Sequence, residues 1–163
     1  GIRDGLKSVS WKGRLEVVST NPTMLLDCAH NPDGVKRLTA TISEYFTYER
    51  CHFVLGIMKD KPCFEMIDII SHIADRIIFV KPKQERSWDL ALLQEKLQKS
   101  HKVVEIIEEI HYAINIVKKT SAPNDLICIT GSIFTVAEAK QYIDNEGLIK
   151  INPDSFLGIP PPY

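Results

Sequence analysis

Short, largely apolar runs alternate with amphipathic helical patterns along most of this chain, and this alternation strongly restricts its fold. Runs such as residues 52–55 and 125–129 are typical of buried strands. In residues 32–45, apolar side chains instead recur at the spacing that places them on one face of a helix. Strands that alternate with helices of this length form a mostly parallel sheet with helices on both faces. The sequence therefore predicts an α/β fold.

We predict six strands and five helices in this alternation. The strands are predicted at residues 15–18, 24–26, 52–55, 76–80, 103–106 and 125–129, and the helices at 32–45, 64–73, 88–99, 110–117 and 133–143. The turn signal Thr20-Asn21-Pro22 separates the first two strands, and so short a connection makes them antiparallel neighbours. The predicted fold is Rossmann-like, with a mostly parallel sheet of about six strands, helices on both faces and one antiparallel strand from an N-terminal hairpin.

The length of 163 residues is that of one domain with a sizeable core. We expect this domain to cover residues 1–150. An irregular tail should follow at residues 151–163, because its prolines are incompatible with regular structure. The chain begins at Gly1 without an initiator Met, and we expect it to be a piece of a longer polypeptide.

Charge and cysteine usage exclude several functional classes. A net charge of -1 without a basic run predicts no nucleic-acid binding, and no apolar stretch is long enough to span a bilayer. The four cysteines are irregularly spaced and lie mostly within apolar runs, at Cys28, Cys51, Cys63 and Cys128. They predict reduced thiols in a cytoplasmic protein, and without a CxxC pair we expect no metal site.

Residues 25–32, Leu-Leu-Asp-Cys-Ala-His-Asn-Pro, bring an acid and an imidazole to the point where a strand ends and a helix begins. Asn31 suits the N-cap and Pro32 the first helical position. The N-terminus of a helix favours anions such as phosphate or carboxylate. Since capping is already provided, Asp27 becomes a candidate ligand for ribose hydroxyls rather than only a turn residue. A neutral His30 could bind a ligand or relay a proton there.

Polar residues also follow two other predicted strands, at residues 56–61 and 130–132. In open parallel sheets ligands bind beyond the carboxyl ends of the strands, so these junctions predict one shared site. Pro62 could open the next helix, where Lys61 would be unfavourable unless an anion neutralised it. A solvated turn is the alternative for this loop. Gly131 and Ser132 resemble a small anion nest, but Gly-Ser turns are common and the motif alone is a weak signal.

Two arginines lie next to predicted strands. The guanidinium of Arg14, just before the first strand, suits a phosphate, although it could simply pair with a surface carboxylate. Arg86 lies in a charged loop that we expect to be solvated, with Ser87 as the N-cap of the following helix. The remaining histidines have no acid or Cys partner at ligand spacing and are interpreted as structural: His52, His72, His101 and His111.

Several nucleotide-binding and hydrolase motifs are absent from the sequence. There is no GxGxxG after a strand, no GxxxxGK[ST], no GxSxG and no HExxH. The missing glycine fingerprint argues against a Rossmann-like oxidoreductase. The chain also lacks a triphosphate cradle of its own.

Taken together, Trp-Lys-Gly-Arg at residues 11–14, the run at 25–32, the loop at 56–61 and Thr-Gly-Ser at 130–132 resemble one family. This is the C-terminal domain of folylpolyglutamate synthase and dihydrofolate synthase, in the Mur ligase superfamily. The resemblance covers roughly residues 6–144. The family pattern has Pro, Gly and an acid where this chain has Lys12, Cys28 and Pro62.

The resemblance implies an ATP-dependent amide ligase in which a folate carboxylate becomes an acyl phosphate that the amine of L-glutamate attacks. By the same resemblance, Arg14 and Asp27 would contact ATP. His30, Asn31, Lys61 and Ser132 would line the glutamate pocket, with His30 and Lys61 as catalytic residues.

The resemblance also implies a partner within the same polypeptide. An N-terminal ATPase domain would supply the P-loop, the Mg²⁺ ligands and most contacts to the folate or dihydropteroate substrate. This chain alone is therefore expected to be inactive. Two other readings stay open: the C-terminal domain of a peptidoglycan Mur ligase, and a non-catalytic nucleotide-binding α/β module.

Overall fold

The computed structural model describes residues 14–100 and 102–147, and strands alternate with helices through both ranges. The strands are β1 (Glu16–Ser19), β2 (Thr23–Leu26), β3 (Cys51–Leu55), β4 (Arg76–Phe79), β5 (Glu105–Ile106) and β6 (Leu126–Thr130). The helices are α1 (Pro32–Tyr45), α2 (Cys63–Ser71), α3 (Leu90–Lys99), α4 (Ile110–Thr120) and α5 (Ile133–Asn145). The predicted alternation is confirmed, with small differences at the ends of elements. The predicted tail at residues 151–163 lies outside the described residues.

The six strands form one sheet in the spatial order β1-β2-β6-β3-β4-β5. Only the β1–β2 pair is antiparallel, with Glu16 opposite Leu26, and the other neighbouring strands are parallel. This confirms the predicted hairpin and the mostly parallel sheet. Because β6 returns to lie between β2 and β3, the carboxyl ends of these three strands are adjacent. That arrangement is a topological switch point, where open α/β sheets bind ligands.

Each face of the sheet has its own apolar core. On one face Phe53 and Leu55 of β3 pack with Leu38 of α1 and Met66 of α2, all fully buried. On the other face Val54 packs with residues of α4 and α5. Alternate residues of a strand point to opposite faces, so a continuously apolar strand must be covered on both sides. The prediction of helices on both faces is thus confirmed.

All four cysteines are free, as the sequence predicts. Cys51, Cys63 and Cys128 are buried, whereas Cys28 is half-buried. Burial raises the pKa of Cys51 and of Cys63 to about 12. In the described part of the chain, no helix is long and apolar enough to cross a membrane.

The helix starts agree with the predicted caps at α1 but differ at two other helices. The side chain of Asn31 accepts a hydrogen bond of 2.8 Å from the Gly34 N–H, and Pro32 is the first residue of α1. The prediction that Pro62 opens α2 is wrong by one residue, because α2 begins at Cys63.

The prediction that Ser87 caps α3 is also wrong. The Asp89 carboxylate takes this position and accepts a hydrogen bond of 2.9 Å from the Leu92 N–H. The Ser87 hydroxyl instead donates to the Pro82 carbonyl at 2.5 Å. The physical reason is that this contact holds Ser87 within the preceding loop, which leaves Asp89 to satisfy the helix amide.

A buried acid ties three strands together at the amino ends of the sheet. Asp125, which is 1% exposed, lies with Oδ2 3.1 Å from His52 Nε2 and 3.4 Å from Arg50 Nη2. The same oxygen accepts a hydrogen bond of 2.9 Å from the Ala122 N–H, and the Asp125 carbonyl accepts one from Thr23. The sequence offered no partner for His52 because this acid lies 73 positions away.

Two opposing effects act on the pKa of Asp125. Burial raises the pKa. Hydrogen bonds from His52 and Ala122 and the positive charge of Arg50 lower the pKa. The net result is that the pKa of Asp125 is lowered. Asp125 is therefore held as a buried carboxylate that stabilises the folded chain while it is ionised.

We expect Asp125→Ala to lower the free energy of unfolding by about 3 kcal/mol, because it removes a buried carboxylate that accepts hydrogen bonds from His52 and from the Ala122 N–H. Urea denaturation at pH 7 measures this. Since the folded pKa of Asp125 is lowered, its stabilisation is fully present above the unfolded pKa of about 3.9 and is lost as pH falls through the folded value. The variant should therefore lose less stability than the parent chain on acidification.

Asp144→Ala is the matched control, because Asp144 is exposed and pairs with Lys140 on the surface of α5 at 3.4 Å. It should change stability by less than about 1 kcal/mol. Equal losses of unfolding free energy in the two variants would contradict a stabilising role for the Asp125 carboxylate.

Candidate functional site at the carboxyl edge of the sheet

The segments that leave β2, β6 and β3 are hydrogen-bonded to one another through their backbones. Three N–H groups each donate to a carbonyl of a neighbouring segment at 3.1 Å. They run from Asp27 to Ile129, from Gly131 to Ala29, and from Gly56 to Thr130. The three junctions that the sequence singled out therefore form one connected surface, which we call the carboxyl edge.

Gly131 and Gly56 allow this close approach. Gly131 has a φ of +112°, and a Cβ built on it would lie 2.8 Å from the Gly56 carbonyl oxygen. A Cβ on Gly56 would collide with Oγ1 of Thr135, which donates a hydrogen bond of 2.7 Å to the same carbonyl. A side chain at either position would push the strand exits apart.

Ser132 begins α5 as its N-cap. Its Oγ accepts a hydrogen bond of 3.1 Å from the Thr135 N–H, and the residue is 4% exposed. The hydroxyl is thus engaged within the first turn of the helix. A direct contact between Ser132 and glutamate stays a prediction.

Asp27 lies at the end of β2 with both carboxylate oxygens engaged. Oδ1 accepts a hydrogen bond of 2.8 Å from the Ala29 N–H, and Oδ2 accepts one of 2.9 Å from the Leu15 N–H. The residue is 2% exposed, and this burial raises its pKa although both N–H groups and Arg14 favour the charged form. Leu15 itself has a φ of +46°, a conformation that is unfavourable for a residue with a side chain. Asp27 thereby holds the chain next to Arg14.

Arg14 and His30 are both exposed at this edge. Arg14 lies there because β1 is antiparallel to β2, so the start of β1 is beside the end of β2. His30 Nδ1 lies 3.1 Å from the Cys28 carbonyl oxygen. Because a carbonyl can only accept, Nδ1 carries the proton of this bond, and in a neutral ring Nε2 is left with a lone pair.

Lys61 lies in the loop after β3, half-buried, two residues before α2. Helices α1 and α2 pack side by side, and both begin at the carboxyl edge. Helix α5 also begins there, on the opposite face of the sheet. The positive ends of three helix dipoles therefore point to the edge that carries Arg14, Asn31 and Lys61, which favours anionic ligands.

The six residues predicted from the sequence all lie along the carboxyl edge, but their accessibility differs. Arg14, His30 and Asn31 are exposed and Lys61 is half-buried, whereas Asp27 and Ser132 are buried. Sequence reasoning missed Thr135, whose hydroxyl fastens α5 to the end of β3. The available sequence signal was a glycine directly after each of two buried strands, Gly56 and Gly131, which indicates close packing at the strand ends.

In ranges 14–100 and 102–147, no group of three or more His, Cys, Asp and Glu side chains could hold a metal ion.

We expect Gly131→Ala to destabilise the chain by about 3 kcal/mol, because it adds a contact with the Gly56 carbonyl to the cost of a positive φ. Gly147→Ala is the matched control, since Gly147 has a φ of +62° with open space around it. That change should cost about 1 kcal/mol. Urea denaturation of both variants gives the difference, and equal losses would contradict tight packing at the carboxyl edge.

Comparison with known proteins relates this architecture to enzymes of one superfamily. A curated relative from Haloferax volcanii, a probable bifunctional folylpolyglutamate synthase/dihydropteroate synthase, is 33% identical over 85% of this chain and 16% of its own length. The dihydrofolate synthase/folylpolyglutamate synthase of Bacillus subtilis is 32% identical over 87% of this chain. The match spans 33% of that enzyme, so this chain covers a third or less of these relatives.

Solved structures match the fold as well. A Mycobacterium tuberculosis folylpolyglutamate synthase complexed with ADP and AMPPCP has a TM-score of 0.75 and 25% identity, over 86% of this chain and 34% of that chain. A bifunctional folylpolyglutamate synthase/dihydrofolate synthase with Mn, AMPPNP and L-glutamate bound has a TM-score of 0.73 and 25% identity, over 88% and 34% of the two chains.

A family model described as the glutamate ligase domain of Mur ligases matches residues 13–133. This match runs from just before β1 to the first residue of α5 and so includes all three strand exits of the carboxyl edge. This chain belongs to the Mur ligase family, as a glutamate ligase domain.

Proposed function

We propose that this chain is the glutamate-binding part of an ATP-dependent amide ligase that adds L-glutamate to a folate substrate through an acyl phosphate. The observation that carries the proposal is the meeting of three strand exits and three helix N-termini at one edge with Arg14, His30 and Lys61. Such an edge stabilises negative charge. Acyl-phosphate chemistry requires this stabilisation for the transferred phosphoryl group and for the tetrahedral intermediate.

The names of the matched relatives support folate as the substrate class. Both curated relatives are folylpolyglutamate synthases, which favours this branch over a peptidoglycan Mur ligase. The solved relatives contain ADP, AMPPCP, AMPPNP, Mn or L-glutamate, which supports ATP, a divalent cation and glutamate as ligands of the whole enzyme.

We propose that Arg14 binds the nucleotide phosphates. Asp27 fixes the backbone beside it through the Leu15 N–H. Each carboxylate oxygen has a second acceptor site, and we propose that one of these accepts a ribose hydroxyl at the ATP-binding end of the carboxyl edge. The guanidinium of Arg14 suits the nucleotide phosphates because its planar fork matches phosphate oxygens.

The glutamate pocket is assigned to the neighbouring part of the edge. Lys61 neutralises a glutamate carboxylate near the start of α2, and the side-chain amide of Asn31 and the hydroxyl of Ser132 complete the pocket. His30 Nε2 is the acceptor for the proton that the glutamate ammonium must lose before its amine attacks the acyl phosphate. These roles make His30 and Lys61 the catalytic residues of the proposal.

A second domain of the same polypeptide completes the proposed enzyme. ATP turnover requires a phosphate-binding loop, and this sequence contains no GxxxxGK[ST]. We therefore assign the P-loop, the metal ligands and most folate contacts to an N-terminal ATPase domain that closes against the carboxyl edge.

Binding measurements test the assigned roles. We expect this chain to bind ADP and L-glutamate weakly, because the partner domain supplies the rest of each pocket. Arg14→Gln should weaken ADP binding about tenfold and have little effect on glutamate binding. Lys61→Gln should weaken glutamate binding about tenfold and have little effect on ADP binding. Each variant removes one charge-assisted contact of about 1.5 kcal/mol or more. NMR titration or calorimetry measures both affinities.

Lys119→Gln is the matched control, because Lys119 is exposed in the last turn of α4, at the opposite edge of the sheet. It should leave both affinities unchanged. Binding of ADP without any binding of glutamate would favour a non-catalytic nucleotide-binding module. Binding of neither ligand would contradict the proposal.

Turnover measurements test the assignment of a second domain. With ATP, Mg²⁺, folate and L-glutamate, we expect this chain alone to release no phosphate above background. The physical reason is the missing triphosphate cradle. Robust turnover by these 163 residues would refute the assignment of the phosphate-binding loop to a second domain.

A further inference from the structure

Two buried hydroxyl groups join the first turn of α5 to the exit of β3. Thr135 is fully buried, and its Oγ1 lies 2.7 Å from the Gly56 carbonyl oxygen and 2.8 Å from Ser132 Oγ. Ser132 is also buried, and its Oγ lies 3.1 Å from the Thr135 N–H. Each of the two hydroxyl groups therefore has two partners within the protein.

The direction of these hydrogen bonds follows from the number of protons. A carbonyl oxygen can only accept, and a hydroxyl group has one proton to donate. The Thr135 hydroxyl proton must therefore lie between Oγ1 and the Gly56 carbonyl. The contact between Ser132 and Thr135 then requires the hydroxyl proton of Ser132. We call this series of donors and acceptors, from Ser132 through Thr135 to Gly56, the hydroxyl chain.

The hydroxyl chain leaves Ser132 with only an acceptor site for a ligand. Its proton is donated to Thr135, and one lone pair of Oγ accepts the hydrogen bond from the Thr135 N–H. A serine oxygen has two lone pairs, so the second remains. An ionised carboxylate is also an acceptor only, and two acceptors without a proton between them repel each other. The ligand group that fits Ser132 is therefore a donor, such as a protonated amine.

The place of Ser132 in the fold suits the amine of the incoming amino acid. Strand β6 lies between β2 and β3, so its exit lies between the exits that carry His30 and Lys61. The Gly131 N–H donates to the Ala29 carbonyl at 3.1 Å, which holds the start of α5 beside the segment that carries His30. An ammonium group has three N–H donors, so it can bond to Ser132 and to His30 at the same time.

We propose that Thr135 is a positioning residue that makes Ser132 an acceptor for the α-ammonium group of L-glutamate. This inference rests on the proposed function and deepens it, because it assigns the amine rather than a carboxylate to Ser132. Ser132 Oγ holds one N–H while another N–H bond breaks and its proton moves to His30 Nε2. The electron pair of that bond stays on the nitrogen, which can then attack the acyl phosphate. Thr135 acts only through Ser132.

The test compares L-glutamate with glutarate, which has the same two carboxylates but no amine. NMR titration of the ¹⁵N-labelled full chain measures both affinities. We expect Ser132→Ala to weaken glutamate binding about fivefold, because it removes one hydrogen bond, and to change glutarate binding by less than about twofold. Thr135→Val should have the same effect, since the freed Ser132 proton can then occupy the position that the ammonium group requires.

Two further variants control for a purely structural effect. Thr135→Ser keeps the hydroxyl group and should retain the glutamate affinity of the parent chain. Thr39→Val is the matched control, because Thr39 is also buried and its hydroxyl donates to the Lys36 carbonyl at 3.1 Å within α1. It should leave both affinities unchanged. Urea denaturation shows whether each variant is folded under the conditions of the titration.

A second measurement needs no variant and decides the matter if Thr135→Val does not fold. In the parent chain, the Ser132 hydroxyl proton should exchange slowly with water, with and without bound glutamate, because Thr135 accepts it in a buried position. Proton NMR detects hydroxyl protons that exchange this slowly. Rapid exchange of the Ser132 proton would overturn the proposed direction of the hydroxyl chain.

The binding outcomes separate this inference from the proposed function. Equal weakening of glutamate and glutarate binding by Ser132→Ala would mean that Ser132 contacts a carboxylate, and equal weakening by Thr135→Val would mean that the pocket is merely distorted. Either result overturns the role of Thr135, as does a failure of Thr135→Ser to retain the affinity. Unchanged glutamate affinity in Ser132→Ala and Thr135→Val also overturns it and leaves the ligase proposal standing. No binding of glutamate to the parent chain overturns both proposals.

Discussion

The backbone hydrogen bonds between the exits of β2, β6 and β3 are the interaction on which the rest of this site depends. They require Gly131 at a positive φ and a glycine at position 56, because any side chain there would occupy the space of a neighbouring carbonyl or of Thr135. The three exits come from distant parts of the sequence and meet only because β6 is inserted between β2 and β3. The loops that carry the predicted ligand residues are thereby held in fixed positions relative to one another.

Charge at this edge is arranged by burial as well as by proximity. Asp27 is buried and its carboxylate accepts hydrogen bonds from two backbone N–H groups, while Arg14 and His30 beside it are exposed. The predicted site residues that remain accessible are therefore cationic or neutral, and three helix dipoles add to their effect. At the opposite edge Asp125 has a structural role, since its carboxylate is paired with His52 and Arg50.

Much of the fold, and the edge of the sheet that carries the candidate site residues, could be predicted from the sequence. Apolar periodicity identified the strands and helices, and polar residues after residues 26, 55 and 129 indicated the edge that carries the candidate site. The predictions that failed concerned local competition between partners. Ser87 was predicted to cap α3, but its hydroxyl bonds to Pro82 and Asp89 takes the position. His52 lacked any visible partner, because Asp125 comes near it only when β3 pairs with β6.

The sequence by itself determined the α/β class, the caps of α1 and the set of candidate site residues, because these depend on periodicity and on neighbours a few positions apart. Tertiary structure alone decided the strand order, the burial of Asp27 and Ser132, and the backbone hydrogen bond that joins the loops after β3 and β4. The physical reason is that accessibility and hydrogen-bond partners are set by segments far away in the chain. A local sequence pattern contains no information about which of these segments will be adjacent.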